Sequence, residues 1–441
     1  MSGYVDFSVG IESAAGGGYL VRAFSPGAEA ESLTEIAFDP EGLSAGLRSQ
    51  ISGSLPEPRD CHLASGSGPR PSGLDVTELG RALFATLFTG EVGELYRTAW
   101  SAALAAGQGL RIRLHLRPRN SELAWLTKVP WEILYDERAG GFACLNPLTP
   151  LVRHLDLPRP AEGTAFQLPL RVLVVAANPA GLSALDLKGE QEAMEASAQV
   201  QVLEGAGPED LRRELRRGKY QVVHFMGHGL SDSNQGGLVF ATPEGQPRLV
   251  TGSQLSYLVQ GAPDLRLTLL NACHSAAVPK GSGADPLAGV AGALVRGGQG
   301  AVVGMQLAIP DRAALRFSKF LYARLAEGDP IEAAVSEARL ALYLADPGAS
   351  DWVAPVLFLR GSDQRVEEAE MKEKRPERDR NWVDYESKVI QGGEVRITGE
   401  ILSGQKNRPE GRPRDSVTRV KTEQTDVDKL IITGSDYRDK K

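Results

Sequence analysis

The chain has 441 residues, a formal net charge of −7 and an isoelectric point near 5.6. That length exceeds what one hydrophobic core usually supports, so two or three domains are expected. The acidic balance argues against a general nucleic-acid binder, whose electrostatic footprint is basic.

The opening residues Met1-Ser2-Gly3-Tyr4-Val5-Asp6 lack the basic and apolar regions of a signal peptide, and no apolar run reaches the length of a membrane span. Three cysteines, Cys61, Cys144 and Cys273, fall at irregular distances. This excludes a disulfide framework and the paired spacing of a zinc site, so no metal and no cofactor is expected. A reducing cytoplasm is the expected location, where Cys273 stays a free thiol.

Residues 1–60 alternate apolar and polar positions between Gly-rich turns, the period of half-buried antiparallel strands. Gly42-Leu43-Ser44-Ala45-Gly46 fits the serine-hydrolase nucleophile elbow. Such an elbow needs a strand immediately before it, and Asp39-Pro40-Glu41 reads instead as a turn opening a helix, so Ser44 is set aside. Residues 61–73 are a Ser/Gly/Pro loop, 76–106 have helical periodicity and 110–116 alternate strictly as a strand, with His115 facing solvent. Pro130 suits the first turn of a helix, and Trp125 and Trp131 read as packing residues that dock this region on the domain after it.

These elements make up an N-terminal α+β domain, residues 1–156, followed by a Pro-rich linker at 157–168. From 169 to 362 strands alternate with helices, which predicts a doubly wound α/β domain with a mostly parallel sheet and helices on both faces. Its first helix carries Glu190, Glu192 and Glu195, read as a solvated charged face. Residues 363–441 form a charged extension. Residues 367–380 are almost entirely charged, and 388–397 and 429–434 read as two weakly similar short-strand pieces, isolated β-hairpin material that orders on a partner.

Two stretches in the second domain share one design, an apolar strand followed at once by a reactive side chain. They are Val222-Val223-His224-Phe225-Met226-Gly227-His228-Gly229 and Leu267-Thr268-Leu269-Leu270-Asn271-Ala272-Cys273-His274-Ser275. A hairpin at 237–250 and a helix at 253–260 supply a crossover between them, so adjacent parallel strands would present His228 and Cys273 at one sheet edge. A thiol needs a base within hydrogen-bond reach to act as a nucleophile. Gly229 leaves its N–H open to an approaching carbonyl, and Asn271, Ala272 and Ser275 are too small to bury Cys273, so an accessible thiol is expected. The N–H groups of Gly229 and Cys273 would receive an oxyanion. His224 reads as buried structure and His274 as a rim residue.

The His224–Gly229 segment followed by Leu270-Asn271-Ala272-Cys273-His274-Ser275 resembles the CHAT family of caspase-like, separase-related cysteine peptidases. The likeness extends to Val129-Pro130-Trp131-Glu132-Ile133-Leu134-Tyr135-Asp136 upstream and to residues 294–304 and 352–358 downstream, covering about residues 1–362. It implies a caspase-like fold and a cysteine endopeptidase with a Cys273–His228 dyad. It further implies a protein substrate, a role in bacterial defence or regulated cell death, and activation by proximity or by a partner bound through the N-terminal domain or the C-terminal extension. A gasdermin-like pore former is one substrate it raises. In separase-like relatives an Asp near position 311 reads the basic residue before the scissile bond, so Asp311 is a specificity candidate, against the alternative that it only caps the next helix. The rival reading is a non-catalytic scaffold. A nucleotide switch is disfavoured by the lack of a phosphate-binding loop.

Overall fold

The computed structural model describes residues 3–14, 18–35, 75–116, 123, 126–127, 129–155, 166–182, 187–231, 236–273, 275–276 and 289–360, together with six strands between 381 and 436. Ser44, Cys61, His274 and the charged run 367–380 lie outside the described residues. The chain divides into two compact units, Met1–Asp363 and Gln364–Lys441.

The first unit is built on one eleven-stranded sheet. Its strands are β1 (Tyr4–Ser13), β2 (Tyr19–Ser25), β3 (Ala28–Thr34), β4 (Gly109–Leu116), β7 (Leu151–Leu155), β8 (Arg171–Ala176), β9 (Gln199–Glu204), β10 (Val222–Met226), β14 (Leu267–Asn271), β15 (Ala301–Met305) and β16 (Pro355–Leu359). The order across the sheet is β3-β2-β1-β4-β7-β16-β15-β14-β10-β8-β9. Strands β5 (Tyr135–Asp136) and β6 (Gly141–Phe142) form a small ribbon, and β11 (His228–Ser231), β12 (Gly236–Ala241) and β13 (Pro247–Thr251) a separate three-stranded sheet.

Neighbours from β9 to β15 are parallel, β15 and β16 are antiparallel, and the parallel sense resumes from β16 through β7 and β4 to β1. The fold is therefore α/β with a mixed, mostly parallel sheet. It also runs without a break across the boundary expected at 157–168, because β7 on one side pairs with β16 on the other. Strands β10, β14, β15 and β16 are buried along their whole length, which is why they read as continuous apolar runs rather than alternating ones.

Eight α-helices occur among the described residues. They are α1 (Val76–Leu87), α2 (Gly90–Ala105), α3 (Leu187–Glu195), α4 (Pro208–Arg217), α5 (Gly252–Val259), α6 (Val290–Arg296), α7 (Asp311–Ala326) and α8 (Ile331–Ala345). Helical periodicity over 76–106 is thus two helices, broken at Phe88 and Thr89. Position 130 opens a single 3-10 turn, Trp131–Ile133, instead of a helix.

Handedness sorts the helices. The connection β8-α3-β9 moves one way along the sheet and β9-α4-β10 moves back, and right-handed crossovers in opposite directions place their helices on opposite faces. Contacts agree: α4 packs on α5 and α5 on α6, whereas α3 packs on α7 and α7 on α8. The strand order reverses beside β8 and β10, and in open α/β sheets the crevice at such a reversal, outside the carboxyl ends of the strands, is where ligands bind.

Candidate active site

Val222-Val223-His224-Phe225-Met226 and Leu267-Thr268-Leu269-Leu270-Asn271 pair in parallel from Val222↔Leu267 to Met226↔Asn271, so their carboxyl ends are level. Beyond them the chains diverge. Gly227 donates its N–H to the Asn271 carbonyl at 3.4 Å, and the next residue, His228, begins β11 by pairing with Val239 in the small sheet. On the other strand Ala272 and Cys273 follow Asn271 directly.

The two segments touch at Gly229. A side chain added there would overlap the Cys273 carbonyl oxygen and lie 3.2 Å from its carbonyl carbon and 3.5 Å from the Ala272 Cβ. The glycine is therefore required for close approach, and the carbonyl that fills the vacant space is that of Cys273 itself. The structure brings His228, Gly229 and Cys273 to one rim, at the ends of neighbouring strands. It does not leave them open: His228 and Cys273 are each 1% exposed. The expected accessible thiol is thus corrected. Small neighbours do not expose a side chain when the segments around it close over the strand ends.

Directly behind this rim lies a polar cluster that the sequence did not reveal. Glu190 on α3 is 2% exposed, whereas Glu192 and Glu195 on the same helix are exposed. The charged face read over the three is correct for two of them. The Glu190 Oε1 atom accepts from Asn271 Nδ2 at 2.5 Å and from Ser318 Oγ at 2.6 Å, and lies 3.2 Å from His224 Nε2. On its other side the His224 Nδ1 lies 3.0 Å from the Tyr322 hydroxyl and 3.0 Å from Met194 Sδ.

Burial pushes the Tyr322 hydroxyl well above its ordinary range, and the negative charge of Glu190 adds to the effect, so it remains a neutral phenol. One carboxylate thereby ties α3 and α7 to β10 and β14, four residues before His228 and two before Cys273 in sequence. The only trace of this in the sequence is that Glu190 shares a helix face with Met194, four residues on.

A CHAT domain match covers residues 89–367, more than half of the chain. The chain belongs to the CHAT family. Comparison with curated proteins finds no match. Among solved structures, the Saccharomyces cerevisiae separase–securin complex is similar at 13% identity and a TM-score of 0.42, covering 80% of this chain and 30% of that one. The Arg-specific cysteine proteinase gingipain R is similar at 12% identity and a TM-score of 0.36, covering 57% and 63%. The complex of Porphyromonas gingivalis RgpB pro- and mature domains is similar at 12% identity and a TM-score of 0.39, covering 73% and 76%. The chain thus spans about a third of the separase chain that it matches.

In this CHAT protein the segment after Cys273 is pinned to the next strand. Ser275 Oγ accepts from the Met305 N–H at 2.9 Å and donates to the Leu270 carbonyl at 3.0 Å, while the Ala276 N–H reaches the Met305 carbonyl at 3.0 Å. Gln306, one residue beyond β15, is held by the N-terminal part of the sheet. Its Nε2 donates to Glu132 Oε2 at 2.7 Å and to the Val353 carbonyl at 2.7 Å, and its Oε1 accepts from Arg153 Nη2 at 2.9 Å. Arg153 and Glu132 form a fully buried ion pair at 2.7 Å, 2% and 1% exposed. Arg153 Nη1 and Nη2 also donate to the carbonyls of Thr127 and Val129. Docking around Trp131, expected from its aromatic character, therefore also involves the buried charge of Glu132.

Asp311 lies on a different element from the other three. It is the first residue of α7, behind Pro310 as the N-cap, and is partly exposed. A carboxylate in a first helical turn is favoured by the helix dipole whatever else it does. His115 does not simply face solvent; it is half-buried, with its ring 4.6 Å from that of His154. Cys144 is sealed, donates its thiol to the Glu132 carbonyl at 3.0 Å, and is pushed up to about 12 by burial. Among the described residues no group of three or more His, Cys, Asp or Glu is placed to hold a metal ion, and no helix is long and apolar enough to cross a membrane.

Proposed function

We propose that this CHAT protein is a cysteine endopeptidase with Cys273 as nucleophile and His228 as general base and acid. The observation that carries the reading is the contact of Gly229 with the Cys273 carbonyl. It puts an imidazole-bearing and a thiol-bearing segment side by side at the carboxyl ends of adjacent parallel strands. His228 takes the thiol proton, the sulfur bonds to the scissile carbonyl carbon, and the N–H groups of Gly229 and Cys273 stabilise the resulting oxyanion. Collapse of that adduct breaks the C–N bond as His228 passes its proton to the leaving amine. Water, deprotonated by His228, then hydrolyses the thioester and regenerates the thiol.

Asp311, reached from β15 through residues 306–310, is assigned to recognition of a basic side chain before the scissile bond. The proposed setting is cytoplasmic bacterial defence or regulated cell death. There the substrate is a protein, a gasdermin-like pore former among the choices, and an activating partner binds the N-terminal region or the C-terminal extension. A dyad 1% exposed at both positions suits an enzyme that waits for such an activator.

The same burial favours the second reading, a CHAT scaffold whose closed rim never opens. The test is to incubate wild-type, Cys273→Ala and His228→Ala protein with a diverse peptide library and with products of neighbouring genes, reading cuts by mass spectrometry. Cleavage by wild type that both substitutions abolish supports the peptidase. No cleavage, together with no pH-dependent alkylation of Cys273, supports the scaffold. An acidic or aliphatic preference before the cut removes Asp311 from its role, and an Arg or Lys preference lost in Asp311→Ala keeps it.

A further inference from the structure

The C-terminal unit is a two-rung stack with a fixed repeat. Strands β17 (Asn381–Ser387), β18 (Ile390–Gln391) and β19 (Glu394–Ile401) pair in parallel with β20 (Ser416–Thr422), β21 (Thr425–Asp426) and β22 (Lys429–Asp436) respectively. Every pair is offset by the same 35 residues: Asn381↔Ser416, Ile390↔Thr425 and Glu394↔Lys429. The second rung therefore repeats the path of the first, one strand spacing of about 4.8 Å along the stack. In register, Ile397-Thr398-Gly399 falls on Ile432-Thr433-Gly434. The weakly similar pieces of the sequence are thus not hairpins; they are successive layers.

Such a stack is incomplete. Each of its three sheets has only two strands, so every strand has a ladder on one side and, among the described residues, an open edge on the other. Two-stranded sheets are marginal alone, and an open parallel edge is a template for another chain. Register shows which chain fits. At the three positions where both rungs carry charge, the signs are opposite: Asp384↔Arg419, Glu386↔Lys421 and Glu394↔Lys429.

We infer that residues 381–436 are a self-assembly module: the first rung of one copy stacks in register on the second rung of another copy of this chain. At that junction all three opposite-charge positions recur, whereas like rungs stacked on each other would set Asp384 against Asp384 and Lys429 against Lys429, which is repulsive. Only head-to-tail addition preserves both the parallel direction and the alternation of charge. Contacts of that kind do not close, and they propagate as an open filament. The occupant is a second copy because the missing edge is complementary to this chain's own other edge. Assembly raises the local concentration of the sheet-containing unit that precedes the module.

The test uses the purified full chain, followed by sedimentation velocity, electron microscopy and fibre diffraction. Three proteins are compared: wild type, Arg419→Glu/Lys421→Glu/Lys429→Glu, and the six-fold exchange that adds Asp384→Lys/Glu386→Lys/Glu394→Lys. Wild type is expected to form filaments with a reflection at about 4.8 Å along the fibre axis. The three-fold variant, with like charges at every paired position, is expected to need at least about a tenfold higher concentration to assemble. The exchange variant, with alternation restored, is expected to recover. An unchanged melting transition of the first unit in all three proteins shows that folding is not what differs. The inference is overturned by wild type that stays monomeric or assembles only with a different protein, by a three-fold variant that assembles like wild type, or by an exchange variant that does not recover.

Discussion

Replacing Gly229 by Ala tests the geometry of the rim with one methyl group. The added carbon would overlap the carbonyl oxygen of Cys273, with the carbonyl carbon at 3.2 Å and the Ala272 Cβ at 3.5 Å, so that oxygen must retreat by about 1 Å. Because what yields is backbone, the displacement moves Cys273 relative to His228. Overpacking of this kind costs about 1–3 kcal/mol, and in a folded unit of this size about 2 °C of melting temperature accompanies each kcal/mol. A misplacement of about 1 Å costs on the order of 100-fold in a reaction that depends on orientation.

The expected outcome is therefore a Gly229→Ala protein that melts about 2–6 °C below wild type yet reacts about 100-fold more slowly with a peptidyl electrophile at Cys273. Gly141→Ala, where an added Cβ meets nothing within 4 Å, is the control and is expected to match wild type in both measurements. Labelling of Gly229→Ala within threefold of wild type would refute the argument that this contact aligns the dyad.

The remaining predictions concern the charges beneath the site. Glu190→Gln keeps the shape but removes the anion facing His224, Asn271 and Ser318, and is expected to cost about 3 kcal/mol by denaturant titration. Glu192→Gln on the exposed face is expected to stay within about 0.5 kcal/mol, and equal effects would dismiss the buried cluster. For Asp6, burial by itself raises the carboxyl, but the hydrogen-bonded Arg111 guanidinium and the nearby Arg113 outweigh it and hold it below the usual carboxylate range. A depressed carboxyl contributes stability that is present above the ordinary carboxylate range and lost as pH falls through the lower folded value. Asp6→Asn should therefore flatten the acid limb of a stability–pH curve and cost about 3 kcal/mol near neutrality, the low end because Arg111 keeps Glu332. An unaltered acid limb would contradict it. Iodoacetamide at pH 9 is expected to leave Cys144 unmodified in the native protein, since burial and its bond to the Glu132 carbonyl keep it a thiol. Labelling of Cys144 as fast as in denatured protein would contradict that assignment.

Much of the site was legible along the chain because its chemistry is local. Val222–Met226 and Leu267–Asn271 are buried on both faces of a parallel sheet, and such strands must be continuous apolar runs that end where small residues let the chain turn. The side chain directly after each run then falls at a carboxyl edge, so the placement of His228, Gly229 and Cys273 on one rim could be read along the chain. Helix starts and the small β12–β13 ribbon arise from the same short-range rules of capping and periodicity.

What the folded chain alone decided depends on partners far apart in sequence. Glu190 sits on a polar helix whose pattern reads as solvated. Its partners Ser318 and Asn271 are 128 and 81 residues away and both donate to one of its oxygens. The continuity of the sheet across 157–168 rests on β7 meeting β16 some 205 residues later, as in the His154 contact with the Leu359 carbonyl. The constant 35-residue offset of the C-terminal strands emerges only once they are paired. Propensity and hydrophobic period act over a turn or two and specify what each segment becomes. Burial of a charge and the pairing of strands are properties of two segments at once, and no single stretch of sequence contains them.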